Sequence, residues 1–144
     1  MSLFLVHGFT GSPESWRPVI DALGPGTGVE AFRIAGHGIG APPARSFVDE
    51  ADRLAKAIVD SGCEHVVGYS LGGRLALGAS IRHPELWRES GVRRLTLLGA
   101  HPGLSSPASR GRRTTRPTRV ATAASTIPMR KLMRMAPGVG RLER

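Results

Sequence analysis

One serine of the chain stands in a pattern suited to nucleophilic chemistry. Residues 68–72 (GYSLG) follow the apolar, β-branched run at residues 65–67, and a helical stretch begins at Leu71. In such a strand–turn–helix, small residues at positions 68 and 72 let the backbones approach, and the serine is held in a strained conformation. The pattern predicts Ser70 as the nucleophile, with the Leu71 N–H at the start of the helix available to a developing oxyanion.

The surrounding motifs resemble those of α/β-hydrolase-fold proteins. The matching stretches are residues 5–12 (LVHGFTGS), 36–38 (GHG), 68–74 (GYSLGGR) and 102–104 (PGL). Within this fold they are similar to the menaquinone-pathway lyase that eliminates pyruvate to form 2-succinyl-6-hydroxy-2,4-cyclohexadiene-1-carboxylate. The resemblance covers residues 3–40 and 65–104. It implies that the N–H groups of Phe9 and Leu71 form an oxyanion hole beside Ser70.

Several residues near Ser70 are expected to contact the substrate. Arg74 lies one helical turn after Ser70 and resembles a substrate-contacting arginine of the lyase, and a guanidinium suits carboxylate groups. Tyr69 precedes the nucleophile, whereas His37 and His101 follow strands at the edge where ligands bind in such sheets. A solvated role for Arg74, packing for Tyr69 and loop-shaping roles for the histidines remain the alternatives.

A serine nucleophile needs a base, and that base needs an orienting carboxylate. In this fold both partners come after the serine in the chain. The acids and histidines that follow it here are Glu85, Glu89, Glu143, His83 and His101. None stands in the expected context, because His83 comes at the far end of the helix and His101 directly follows the fourth strand. A recognisable Asp and His of the triad are therefore missing.

The order of elements predicts an α/β fold with a three-layer, α/β-hydrolase-type parallel sheet of about four strands. Apolar runs at residues 3–6, 29–34, 65–69 and 95–98 alternate with helical patterns, as in βαβ units. One helix is predicted between an N-cap at Ser46 and a stop at Gly62, with a buried stripe formed by Phe47, Ala51, Leu54, Ala55 and Ile58. The spacing of the first helix predicts one buried face, formed by Trp16, Val19, Ile20 and Leu23.

The charge of the chain is unevenly distributed. The formal net charge is +9, yet residues 1–105 sum to zero, and residues 106–144 carry nine Arg, one Lys and one Glu. We therefore expect a partial α/β-hydrolase domain over residues 1–105 and a basic, Arg/Thr/Pro/Ala-rich, disordered tail over residues 106–144. The change in composition suggests a truncated or frame-shifted coding sequence, which sequencing the DNA around codon 105 would test. Without aromatic interleaving, the tail predicts no specific nucleic-acid binding.

Several classes of protein are disfavoured by the same residues. The single cysteine, Cys63, excludes an internal disulfide and suits the cytoplasm. No apolar run approaches the roughly 18 residues that span a membrane. No metal-ligand spacing occurs, and the glycines at residues 36–40 lack a following dinucleotide-type helix, so no metal or cofactor is expected. The fourth strand is expected to be an open sheet edge through which the chain could self-associate.

The expected substrate is a small molecule, either an anionic carboxylate or an ester. The first functional hypothesis is a lyase-like elimination of pyruvate that depends on Ser70. The second is a serine esterase or acyl hydrolase, in which Ser70 forms an acyl-enzyme. The third is an inactive truncated fragment or a binding module that keeps Ser70 without its triad.

Overall fold

A five-stranded sheet is the centre of the molecule. We describe the chain from a computed structural model, which describes residues 1–100 and 124–128. The strands are β1 (Ser2–Val6), β2 (Gly28–Phe32), β3 (His65–Tyr69), β4 (Arg94–Leu98) and β5 (Ala124–Pro128). The helices are α1 (Arg17–Leu23), which follows a 3-10 turn (Pro13–Trp16), α2 (Phe47–Ser61), α3 (Leu71–Arg82) and α4 (Pro84–Glu89).

The first four strands are parallel and lie in the order β2-β1-β3-β4. This confirms the predicted sheet. Parallel register brings the carboxyl ends of β1, β2, β3 and β4 to one edge of the sheet, where the loops that follow them meet. The residues that end these strands are Val6, Phe32, Tyr69 and Leu98.

The fifth strand differs from the sequence-based expectation. β5 pairs antiparallel with β4, with Leu95 opposite Ile127 and Leu97 opposite Ser125. Residues 124–128 therefore form a strand within the range predicted to be disordered; the rest of residues 106–144 lies outside the described residues. β4 is consequently not the open edge that we expected, because its second side is paired. The strand was missed because the sequence of Ala124–Pro128 (ASTIP) shows no alternation of apolar and polar residues.

Apolar cores lie on both faces of the sheet. On one face Phe4, Val6 and Val66 pack with the buried stripe of α2 and with α3 and α4. On the other face Leu3 and Leu5 pack with Trp16. Alternate residues of β1 point to opposite faces, so that a continuous apolar strand serves both cores, as expected for a parallel sheet covered by helices on both sides.

The predicted buried face of α1 was wrong in part. Trp16 is buried and Ile20 packs against the same core, but the side chains of Val19 and Leu23 are 43% and 38% exposed. Trp16 belongs to the 3-10 turn, which has about three residues per turn and therefore shifts the phase of the helix that follows. The four residues whose spacing predicts one buried face therefore lie on two faces.

Helix α2 follows its prediction closely. The Ser46 hydroxyl accepts a hydrogen bond from the Asp49 N–H at 3.0 Å, and Gly62 ends the helix in the left-handed conformation at φ 60°. The core-facing residues are Ala51, Leu54, Ala55 and Ile58, all fully buried. Phe47, which was expected on this stripe, is 46% exposed and lies over Gly78 of α3. None of the helices in the described part of the chain is both long and apolar enough to cross a bilayer.

Candidate active site

Ser70 lies between β3 and α3 in a backbone conformation that is unusual for a residue with a side chain. Its φ is 49° and its ψ is −111°, and among the described residues it is the only one other than glycine with positive φ. Such a conformation costs about 1–3 kcal/mol and is typical of functional sites. The Ser70 N–H donates to the Leu98 carbonyl oxygen at 2.8 Å, and its own carbonyl oxygen accepts from the Arg74 N–H at 3.1 Å. The turn is therefore fixed from both sides.

The glycines beside Ser70 are required by close backbone contacts. A Cβ at Gly68 would lie 2.5 Å from Cα of Gly73, and a Cβ at Gly72 would collide with the carbonyl oxygens of Val6 and His7. The turn thus presses α3 against the end of β1, which is the reason for the small residues that the sequence pattern showed. These contacts agree with the predicted strand–turn–helix around the serine.

The loop after β1 lies directly against the nucleophile. A Cβ at Gly8 would lie 3.4 Å from Cβ of Ser70 and 2.8 Å from the ring of Tyr69. The opposite edge of that ring faces Gly99, in the segment that follows β4. Glycine at position 8 therefore lets the backbone before Phe9 reach the serine, as the proposed oxyanion role of Phe9 requires.

His7 is buried beneath this loop, with only 1% of its surface exposed. Its Nδ1 lies 2.8 Å from the Gly8 carbonyl oxygen, and its Nε2 lies 3.2 Å from the Ile34 N. A carbonyl oxygen only accepts and a backbone N–H only donates, so Nδ1 carries the proton and Nε2 accepts. Burial lowers the pKa of His7, which favours this neutral ring.

Two aromatic side chains continue from His7 to the surface. The ring of His37 lies 5.3 Å from the ring of His7 and 5.7 Å from that of Phe9, the latter in an edge-to-face arrangement. The His37 Nδ1 lies 3.0 Å from the Ala35 carbonyl oxygen. Phe9 is 71% exposed, so this row of three rings reaches solvent beside the turn that holds Ser70. His37 thus lies in the predicted loop, with its ring against Phe9.

The loop after β2 is held by a buried carboxylate that sequence analysis missed. Glu50 of α2 is 4% exposed and accepts a hydrogen bond from the Ala35 N–H at 2.9 Å. Arg53 pairs with Glu50 at 2.6 Å, stacks 4.1 Å from the centroid of the Phe32 ring and donates to the Arg33 carbonyl oxygen at 2.5 Å. A buried charge with a partner and several hydrogen bonds is a fixed anchor. The only sequence signal is an acid on the apolar stripe of a helix, one position before Ala51.

Arg33 joins the loop after β2 to the 3-10 turn. Its guanidinium pairs with the Glu14 carboxylate at 2.7 Å and donates to the His37 carbonyl oxygen at 3.3 Å. Both side chains of the pair are substantially exposed, so the pair positions the loops at the surface rather than in the core.

The other predicted substrate contacts are distributed around Ser70. Tyr69 is 51% exposed and precedes the nucleophile, and Arg74 is exposed on the first turns of α3. Leu71, the second proposed oxyanion donor, is the first residue of α3. His101 and residues 102–104 lie outside the described residues. The structure thus brings Phe9, His37 and the residues around Ser70 to one edge of the sheet.

Each histidine of residues 1–100 has a hydrogen-bond partner other than Ser70. His65 bonds to Thr96, and His83 bonds to Asp52 at 2.7 Å. His83 comes after the last turn of α3, about 20 Å along the helix from Ser70, as its position in the sequence predicted. Over residues 1–100, no histidine is hydrogen-bonded to the Ser70 hydroxyl, and no group of three or more acids, histidines or cysteines in the described part of the chain is arranged to hold a metal.

The sequence matches the model of the alpha/beta hydrolase family over residues 3–143. It is 33% identical to the 2-succinyl-6-hydroxy-2,4-cyclohexadiene-1-carboxylate synthase of Enterobacter sp. (strain 638), over 94% of this chain and 48% of the relative. It is 32% identical to the putative carbamate hydrolase RutD of Yersinia enterocolitica, over 76% of this chain and 39% of that protein. The structure is similar to MenH from S. aureus, with a TM-score of 0.61 and 21% identity over 76% of this chain and 41% of MenH.

These matches extend past residue 104, where the motifs quoted from the sequence end. The chain spans less than half the length of the curated relatives it matches. The likeness to MenH supports the fold. The chain belongs to the alpha/beta hydrolase family.

Proposed function

We propose that the protein is a serine-dependent enzyme whose nucleophilic group is Ser70, and that its reaction is the elimination of pyruvate carried out by the menaquinone-pathway lyase. The observation that supports this most strongly is the conformation of Ser70 at φ 49°, on a turn between β3 and α3 that touches the Gly8 backbone. Strain of this kind persists where the surrounding contacts and the function require it.

Two backbone N–H groups are proposed to stabilise the developing negative charge. The Phe9 N–H follows the Gly8 backbone that lies against Ser70, and the Leu71 N–H begins α3, where the helix dipole favours an anion. Fixed donors of this kind contribute a large part of the rate enhancement in reactions that form an oxyanion.

The substrate of this proposal is a small anionic carboxylate. Arg74 is exposed one helical turn after Ser70, so its guanidinium is free to meet a carboxylate from solution. Tyr69, His37 and His101 are the further proposed contacts. No cofactor is part of the proposal, and the cytoplasm is its expected location because the lone Cys63 is buried as a free thiol.

The second candidate is a serine hydrolase that acts on an ester or a carbamate. The same turn and donors would serve an acyl-enzyme mechanism. The similarity to a putative carbamate hydrolase, at 32% identity, favours keeping this reaction class in the test. In both reactions Ser70 needs a base, and no histidine of residues 1–100 is hydrogen-bonded to it.

The test is an assay of the purified chain with the menaquinone precursor as substrate, which follows released pyruvate, beside assays with a small ester and a small carbamate. We expect pyruvate release that Ser70→Ala abolishes. Ser70-dependent turnover of the ester or carbamate alone would favour the hydrolase. A folded chain with no Ser70-dependent turnover of any of the three would refute both reactions and leave a fragment or binding module.

A further inference from the structure

The loop after β1 contains a peptide group whose carbonyl oxygen and N–H have different roles. The peptide between Gly8 and Phe9 carries the Gly8 carbonyl oxygen and the Phe9 N–H on opposite sides, because a trans peptide is planar. The carbonyl oxygen is 2.8 Å from the His7 Nδ1 and accepts from the Gly11 N–H at 3.0 Å. With its carbonyl bound twice, this peptide has one fixed orientation.

We propose that His7 is a positioning residue for Ser70: its neutral ring, protonated on Nδ1, binds the Gly8 carbonyl oxygen and the Ile34 N–H together and so directs the Phe9 N–H toward the nucleophile. This rests on the proposed function, in which the Phe9 N–H is an oxyanion donor. His7 itself does not touch the substrate.

The ring of His7 is well suited to this task because it is buried and both of its nitrogens are used. Rotation of the ring by half a turn would place a C–H against the Gly8 carbonyl oxygen. The Ile34 N–H that binds Nε2 belongs to the loop anchored by Glu50 at the neighbouring Ala35 N–H. Glu50 of α2 fixes the loop after β2, this loop holds the His7 ring through the Ile34 N–H, and the ring in turn orients the Gly8 peptide.

The same arrangement makes the loop sensitive to acid. A second proton on the ring would set an N–H at Nε2 against the Ile34 N–H, so that two donors would face each other. Burial lowers the pKa of His7 from its usual value of 6.5, so the ring stays neutral at neutral pH. The charged and titratable groups around the ring are Glu14, Arg33, His37, Glu50, Arg53 and Tyr69.

Two substitutions separate the two hydrogen bonds of the ring. In His7→Asn the amide nitrogen can replace Nδ1 as donor to Gly8, whereas in His7→Gln the amide oxygen can replace Nε2 as acceptor for Ile34. We expect His7→Gln to lower kcat by about tenfold or more with little change in KM, and His7→Asn to keep more of kcat. Amide exchange at Ile34 should show the reverse order, faster in His7→Asn and near wild type in His7→Gln.

The matched control is His65, a half-buried histidine whose pKa is likewise lowered by burial. It bonds to Thr96 and begins β3, about 16 Å along the strand from Ser70. His65→Asn and His65→Gln should change stability without separating kcat from the exchange rate at Ile34. Equal losses of kcat in both His7 variants would overturn the proposal, because His7 would then support only the fold.

Nitrogen-15 NMR of the His7 ring provides a readout that needs no substrate. We expect a protonated Nδ1 and an unprotonated Nε2 at neutral pH, and loss of Ser70-dependent kcat as this ring takes up a proton below pH 6.5. The opposite tautomer, or a ring already charged at neutral pH, would overturn the proposal. A wild-type chain without turnover would refute the proposed function alone, and the tautomer and the Ile34 exchange would still decide whether His7 holds the Gly8 peptide.

Discussion

At the scale of single residues, Ser70 combines the proposed chemistry with a backbone conformation that costs stability. Its φ of 49° and ψ of −111° suit glycine better than serine. The neighbouring contacts with Leu98 and Arg74 hold it there. Stability is therefore given up at the position where the hydroxyl must be exposed, which is a common relation between active sites and folding.

This relation predicts an unusual order of stabilities. Ser70→Gly should be more stable than Ser70→Ala by about 1 kcal/mol, because glycine relieves strain that alanine retains. Both variants should lack Ser70-dependent activity. Urea unfolding measures the difference, with Ser80 in the interior of α3 as the control position. There glycine should be the less stable by about 1 kcal/mol. The same order at both positions would show that Ser70 is not strained.

At the scale of elements, α2 and α3 are joined by an ion pair that is distant from Ser70. The Asp52 carboxylate accepts from the Arg82 Nε at 2.8 Å and from the Arg82 Nη2 at 3.0 Å, and His83 lies 2.7 Å from it. The hydrogen bonds from Arg82 and then His83 lower the pKa of Asp52 from 3.8 to about 2. The charged carboxylate is thus favoured by the folded state.

A pH series tests this pair. Since the pKa of Asp52 is lower in the folded chain than in the unfolded chain, its contribution is full above pH 3.8 and is lost as the pH falls toward about 2. Asp52→Asn should lower the free energy of unfolding at pH 7, by under about 1 kcal/mol because the pair is partly exposed. The difference from wild type should shrink over that acid range in urea titrations.

The exposed pair between Asp60 and Lys56 is the control for that series. Asp60→Asn should have a smaller effect at pH 7, since an exposed i,i+4 pair on one helix contributes about 0.3–0.5 kcal/mol. If the deficit of Asp52→Asn stayed constant down to pH 2, the carboxylate would not be the group that joins the two helices.

Features that depend on residues close together in the sequence could be predicted, whereas contacts between distant residues could not. The cap at Ser46, the glycine pattern around Ser70 and the α2 stripe apart from Phe47 are local signals, and they agree with the structure. The hydrogen bond from the Ala35 N–H to Glu50 and the one from the Ile34 N–H to His7 join residues that are 15 and 27 positions apart, so no window of the sequence shows them. The buried face of α1 was predicted wrongly in part because the 3-10 turn before it has fewer residues per turn than an α-helix.

At the scale of the whole molecule, β5 determines whether both sides of β4 are paired within the sheet. It covers β4, which would otherwise present unpaired backbone groups beside apolar side chains. The self-association expected from an open β4 is therefore expected only when β5 is displaced.

Proline scanning of β5 tests this role. Adjacent residues of an antiparallel strand direct their N–H groups to opposite sides, so of Ser125→Pro and Thr126→Pro one removes a bond to β4 and the other serves as its control. The variant that loses a hydrogen bond to β4 should promote self-association at micromolar concentration in sedimentation velocity. The control variant should do so less. Identical monomeric behaviour of both variants and the wild type would contradict a protective role for β5.

The most direct test of the account is covalent labelling of Ser70. A fluorophosphonate probe releases fluoride and bonds to a serine oxygen only where that oxygen is activated and its adduct is stabilised. Mass spectrometry of the folded 144-residue chain should find one adduct, on Ser70, and none in Ser70→Ala or in the urea-unfolded chain. A folded chain that stays unlabelled, or an adduct elsewhere, would contradict the claim that Ser70 is the nucleophile.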